Sequence, residues 1–136
     1  MFNRRVTAFA AGLCLALASG LAAAQKTNLT VYTALETDQL KAYQTAFEKA
    51  NPDIAITWVR DSTGIITARL LAEKANPKAD VVMGLAATSL AIFETEGMLQ
   101  SYAPKGLERV AAQYRDAKNP PAWVGMDVWG ATICFN

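Results

Sequence analysis

Beyond residue 24, apolar positions recur with two different periods, and each change of period marks an element. Leu29-Thr30-Val31-Tyr32-Thr33-Ala34 is short, β-branched and aromatic, which predicts a first strand. Leu40, Tyr43, Phe47 and Ala50 then recur three or four residues apart and predict one apolar helix face. Thr37 or Asp38 is the expected cap, and the acids of the first turn complement the helix dipole. Asn51-Pro52 ends the helix, because proline biases the residue before it toward extended geometry. Ile54-Ala55-Ile56-Thr57-Trp58-Val59 predicts a buried second strand, and Thr67 to Lys74 predicts a second helix from its strong helix formers.

The second helix stops as the first does. Lys49-Ala50-Asn51-Pro52 returns 25 residues later as Lys74-Ala75-Asn76-Pro77. This echo is that of two successive βα units. Ala79-Asp80-Val81-Val82-Met83-Gly84 is the third expected strand and Leu85 to Ser89 its exit turn. A short helix carrying Leu90, Ile92 and Phe93 follows, with Gly97 placed for its C′ position. Strands alternating with helices of this length predict a parallel sheet with right-handed crossovers. Further on, Leu107 to Tyr114 is expected as a helix between Pro104 and Asn119-Pro120-Pro121. Trp123 to Met126 and Val128 to Phe135 are expected as strands, with Cys134 a small buried residue on the second. The apolar run reaching Asn136 leaves that strand without residues to pair and cover it, so the sequence is expected to be the front part of a longer protein.

Composition adds the compartment. Arg4 and Arg5 precede an apolar run from Val6 to Leu21, and Ala22-Ala23-Ala24 forms a small-residue cleavage site before Gln25. This is the pattern of a cleavable signal peptide over residues 1–24, leaving 112 of the 136 residues. Cys14 lies inside the apolar run, away from the cleavage point, so no lipid anchor is expected. The whole chain carries a net charge of +1, and loss of Arg4 and Arg5 takes it to −1. That balance gives no footprint for nucleic acid. The chain has no histidine, which removes histidine-based triads and leaves Zn almost no ligands. With Cys134 alone after cleavage, no internal disulfide is possible.

The candidate chemistry sits in the strand-to-helix turns. Arg60-Asp61-Ser62-Thr63-Gly64-Ile65-Ile66 joins the end of one strand to the start of a helix. Such a turn leaves amides unpaired at the positive end of the helix dipole and favours an anion. Ser62 and Thr63 add hydroxyls, and Gly64 permits close backbone approach. Ser62 or Thr63 equally suits a plain N-cap. In an open parallel sheet the turns at Thr33–Glu36, Asp61–Gly64 and Gly84–Thr88 all fall on the carboxyl edge, where such sheets bind ligands. This convergence favours ligand contact. The residues expected to line it are Thr33, Ala34, Glu36, Ser62, Thr63, Gly64, Ala86, Ala87 and Asp127. Glu36 fits a dipole complement or a partner for a ligand amine, and Asp127 a turn residue or the same partner. Tyr32 fits core better than ligand stacking.

The chain from residue 27 to 136 resembles the solute-binding proteins of bacterial ABC importers. Leu29 to Ala34, Phe47-Glu48-Lys49-Ala50-Asn51-Pro52-Asp53-Ile54, Asp61 to Gly64, Ala79 to Gly84 and Gly97-Met98-Leu99 carry the likeness. Within that family Arg60 to Ala68, Gly84 to Leu90 and Gly125-Met126-Asp127-Val128-Trp129-Gly130-Ala131 are similar to the group binding 2-aminoethylphosphonate, near the ferric-iron and polyamine binders. The resemblance implies an α/β periplasmic-binding-protein lobe, three layers with helices on both faces of the sheet, and no enzymatic role or cofactor. Residues 25–128 would form part of lobe 1 and residues 129–136 the start of a crossover strand, with the second lobe missing. It further implies a periplasmic monomer that hands a small organophosphonate to an inner-membrane permease. Ferric iron, a polyamine or another small anion is the alternative within the family, and the missing histidine weighs against ferric iron. An exported α/β hydrolase is the alternative outside it. The chain carries no Gly-x-Ser-x-Gly elbow and no acid cluster suited to two metals. A truncated reading frame without independent function is the third.

Overall fold

A computed structural model describes residues 25–130 and 133–134. The expected signal peptide lies outside the described residues. Six regular elements follow in order: β1 (Thr27–Thr33), α1 (Thr37–Ala50), β2 (Ile54–Arg60), α2 (Thr63–Ala72), β3 (Val81–Met83) and α3 (Ala87–Thr95). Two single 3₁₀ turns, Leu107–Arg109 and Ala112–Tyr114, come after them.

The three strands form one parallel sheet in the order β2-β1-β3. Tyr32 faces Val59 on one side of the central strand and Val82 on the other. The chain steps from β1 outward to β2, then back across β1 to β3. Right-handed crossovers running in opposite directions must place α1 and α2 on opposite faces. The side chains agree. Tyr32, Val59 and Val82 pack with Ile66 and Leu70 of α2, Phe93 of α3 and Leu85. On the opposite face Trp58 donates from Nε1 to Gln44 of α1 at 3.1 Å. Helices therefore cover both faces, as expected.

Helix α1 departs from its sequence pattern. Leu40 is buried, but Tyr43 is 43% exposed and Ala50 is exposed. Gln44 and Glu48 turn toward the sheet instead. Glu48 accepts the Ile56 amide at 3.0 Å, an N–H on the outer side of edge strand β2. An unpaired strand amide beside a helix costs more than an exposed tyrosine, so the polar residues take the inner position. The Ile56 amide and then the Gln44 amide hold the Glu48 carboxyl below its ordinary range. The cap also differs: Glu36, not Thr37 or Asp38, takes the N-cap position, and its amide donates to Gln39 Oε1 at 3.3 Å.

Gly97 ends α3 as expected. It adopts φ +67°, donates to Glu94 O at 3.0 Å, and the Met98 amide donates to Phe93 O at 2.8 Å. This pair of bonds is the Schellman closure, which needs a residue at ease with positive φ.

Past Leu99 the structure corrects the sequence. The helix expected over Leu107–Tyr114 is broken at Val110, whose backbone is extended (φ −93°, ψ 120°). Arg115 Nη1 donates to the Leu107 carbonyl at 3.2 Å, fixing the broken form. The strands expected over Trp123–Met126 and Val128–Phe135 are absent among the described residues. Val124 makes a single antiparallel bridge with Arg115. Val128 and Trp129 are 74% and 67% exposed, and Cys134 is exposed rather than buried. A strand exists only where another edge accepts its hydrogen bonds, and β-propensity alone does not supply one.

Below the sheet centre, Tyr32 is buried and donates to Glu73 Oε2 at 2.8 Å, while Arg69 Nε donates to Glu73 Oε1 at 2.9 Å. The Arg69 guanidinium also lies 5.0 Å from the Tyr32 ring centroid. Burial first, then Glu73, pushes the Tyr32 hydroxyl up, so it stays a neutral donor. Arg69 and then Tyr32 pull the Glu73 carboxyl below its ordinary value of 4.5. A depressed carboxyl stabilises the fold above its unfolded value and loses that contribution as pH falls through its folded value. Glu73→Gln is expected to flatten the loss of stability below about pH 4.5, read from denaturant midpoints at neutral and acid pH. Phe93 is 1% exposed at the centre of the core, and Phe93→Ala is expected to cost about 3–5 kcal/mol in the same measurement.

Candidate functional site

Parallel pairing sends the carboxyl ends of β1, β2 and β3 to one edge of the sheet. Each strand leaves that edge by a turn into a helix, and the three turns touch. Between the first and second, the Asp61 amide donates to Thr33 O at 3.2 Å and Arg60 Nε donates to Leu35 O at 3.0 Å. Arg60 Nη2 also meets Glu36 Oε2 at 2.6 Å. The helices that follow the second and third turns meet where the Ser89 hydroxyl donates to Thr67 Oγ1 at 2.9 Å, the Thr67 hydroxyl itself donating to Thr63 O. Between the first and third, Leu35 lies on Gly84, where a Cβ would sit 2.3 Å from Leu35 Cγ.

The expected site residues take unequal places on this rim. Thr33 is fully buried, and its Oγ1 accepts the Leu35 amide at 3.1 Å, so its hydroxyl shapes the first turn from within. Ala34 is half-buried beside it. Glu36 is exposed and engaged by Arg60. Ser62 stands at the N-cap position of α2 (φ −62°, ψ 154°), yet its side chain makes no capping hydrogen bond. Its hydroxyl points to no backbone amide of the helix it precedes. Thr63 begins the helix half-buried, and Gly64 follows exposed with nothing within 4 Å of where a Cβ would be. The Ile66 amide is the first to bond within the helix, to Ser62 O at 3.0 Å. The amides of Thr63, Gly64 and Ile65 therefore lack an intrahelical acceptor. The Ser62 amide is occupied, because Asp61 Oδ1 accepts it at 2.7 Å.

Ala86 is the N-cap of α3 and Ala87 its first residue, so α3 begins three residues before Leu90. The N-termini of α1, α2 and α3 thus all stand at the rim. Asp127 is set apart from this group. It lies exposed in the Gly125–Gly130 stretch, and no hydrogen bond among the described residues joins it to the three turns.

Sequence reading missed three participants: Leu35, Arg60 and Asp61. Arg60 and Asp61 stand in the turn singled out above but are not among the residues expected to line the rim, and neither is Leu35. An arginine directly after a buried strand was the one available signal, since its stem can follow the sheet edge while its head reaches the next turn. A groove of about 700 Å³ opens elsewhere, lined by Leu70, Val82, Phe93, Met98 and Trp123, and no rim turn contributes to it. Among the described residues no three His, Cys, Asp or Glu side chains are placed to hold a metal ion.

Residues 33–130 match the model of the bacterial extracellular solute-binding protein family. The chain belongs to this family. A probable ABC transporter periplasmic-binding protein of Sinorhizobium fredii is 46% identical over 55 residues, 40% of this chain and 15% of that protein. An iron- and citrate-bound protein of Trichodesmium superposes with a TM-score of 0.62 at 23% identity, covering 72% of this chain and 30% of that one. The periplasmic binding protein AfuA of Actinobacillus pleuropneumoniae, with fructose-6-phosphate bound, gives a TM-score of 0.61 at 24% identity, covering 67% and 28%. The family member described here thus spans less than a third of the relatives it matches. Those two structures share a fold and hold unlike ligands, so the fold leaves the ligand open.

Gly84 is where this family member's rim is most sensitive to a single methyl group. Its φ of +67° disfavours any side chain, and Leu35 already fills the space. Gly84→Ala is expected to destabilise the fold by about 2–4 kcal/mol, from strain plus displacement of Leu35, measured by chemical denaturation.

Proposed function

We propose that this chain forms the front part of one lobe of the solute-binding component of an ABC importer. It takes a small organophosphonate, 2-aminoethylphosphonate, in the periplasm, and works as a monomer with an inner-membrane permease. The observation that carries this reading is the middle turn of the rim. It offers the amides of Thr63, Gly64 and Ile65, and a Ser62 hydroxyl not used for capping, at the positive end of α2. Phosphonate oxygens accept from such donors without an arginine. Thr33, Ala34, Ala86 and Ala87 border the same rim.

The charges beside the turn favour a zwitterion over a simple dianion. Asp61 and Glu36 are both exposed there. A free dianion placed near two carboxylates is repelled, whereas an aminophosphonate carries its own ammonium to answer them. Glu36 shares its charge with Arg60, which leaves Asp61 the less committed acid on this lobe. Asp127 serves the ammonium only if the stretch bearing it folds over the rim. Binding between two lobes draws affinity from both, so the whole two-lobed protein is the species to test.

Calorimetry on the full-length binding protein is expected to give heat with 2-aminoethylphosphonate and none with inorganic phosphate, spermidine or ferric citrate. Ser62→Ala combined with Thr63→Ala is expected to weaken binding by about tenfold or more, the scale of one or two lost hydrogen bonds to a charged ligand. Heat with ferric citrate or spermidine alone removes the phosphonate reading. Unchanged affinity in the double variant places the anion elsewhere.

A further inference from the structure

The three turns of the rim are not held together by the sheet alone. Side-chain links join the first turn to each of its neighbours and α2 to α3, and two of the three links meet at Leu35. Its amide is held by Thr33 Oγ1 at 3.1 Å, its carbonyl by Arg60 Nε at 3.0 Å, and its side chain rests on Gly84. The third link, Thr67 Oγ1 to Ser89 Oγ at 2.9 Å, closes the triangle between α2 and α3. We propose that Leu35 and Arg60 form a clasp that sets the spacing of the three turns, making Arg60 a positioning residue for the solute rather than a contact to it.

The chemistry of Arg60 fits this role. Its guanidinium is a planar fork: one N–H satisfies the Leu35 carbonyl and another the Glu36 carboxylate. Both acceptors belong to the first turn, while Arg60 ends the strand that feeds the second. A rigid fork fixes direction as well as distance, which a single lysine ammonium cannot do. The Leu35 carbonyl lies between β1 and α1, outside both ladders, so Arg60 supplies an acceptor's partner that the backbone does not. On the third side Gly84 admits Leu35 only because it has no Cβ. A shift of the first turn would thus be felt at both neighbours. Amides aimed at a ligand lose most of their value when displaced by about 1 Å, so the clasp acts on affinity without touching the solute.

The consequence for affinity rests on the solute reading above; the coupling between turns does not. Arg60→Gln and Arg60→Lys in the full-length protein are therefore read in two ways, by amide hydrogen exchange without ligand and by calorimetry with 2-aminoethylphosphonate. Arg60→Gln is expected to speed exchange at Leu35 and Glu36 and also at the second turn's bonded amides, Asp61 and Ile66, with exchange in the β1 core unchanged. Affinity is expected to fall about tenfold. Arg60→Lys is expected to restore neither. Glu36→Gln, which keeps the Leu35 carbonyl bond, is expected to give a smaller change in both. Exchange altered only at the first turn overturns the clasp, as does unchanged affinity where the parent protein binds. If the parent protein binds no phosphonate, the solute reading fails, and exchange at Asp61 and Ile66 still decides the clasp.

Discussion

The hydrogen bonding of one strand on both its edges determines most of this molecule. β1 pairs in parallel with β2 along its full length and with β3 over its last three residues. Parallel pairing aligns the exits of all three strands. It thereby gathers three helix-entering turns, with their unpaired amides, on one side. Had either neighbour paired antiparallel, its turn would lie at the opposite end and no rim would form. The buried core serves this arrangement. Tyr32, next to last in the central strand, is covered by α2 and α3 while its hydroxyl is satisfied by Glu73.

The rim shows how a short stretch divides structural from functional duty. Thr33, at the end of β1, is wholly buried and spends its hydroxyl on the next turn. Ser62 has the position of a cap without performing its side-chain duty, and Asp61 takes only Ser62's own amide. A hydroxyl and three amides remain beside an acid. On the function proposed above, that mixture of donors and negative charge would suit a solute carrying both signs.

The edges of the sheet receive different treatment. On the β2 side Glu48 reaches from α1 to occupy an outward amide, protecting the edge with a charged residue. On the β3 side Asp80 turns inward to accept the Thr30 amide at 2.8 Å, while Val81 remains 39% exposed. The segment beyond Leu99 is tied to α3 instead of to this edge. Trp123 Nε1 donates to Glu94 at 3.2 Å, and Lys118 pairs with the same carboxylate. These anchors hold the chain beside the sheet without adding a strand to it.

Local chemistry made the βα alternation, the Asn51-Pro52 stop, the Gly97 closure and the polar turn after Val59 legible in the sequence, whereas the second helix ends at Ala72, ahead of Asn76-Pro77. Periodicity, proline and glycine act over a few residues and need no distant partner. The sheet's parallel sense followed from the lengths of the crossovers, so the shared rim could also be read. Tertiary structure alone decided the order β2-β1-β3, the inward turn of Gln44 and Glu48, and the meeting of Leu35 with Gly84 and Arg60. Among the described residues it also withheld the strands expected from Trp123 onward, although Val128, Trp129 and Ile133 have strand chemistry. Those outcomes depend on which surface or edge lies opposite, and residues far apart in the chain determine that.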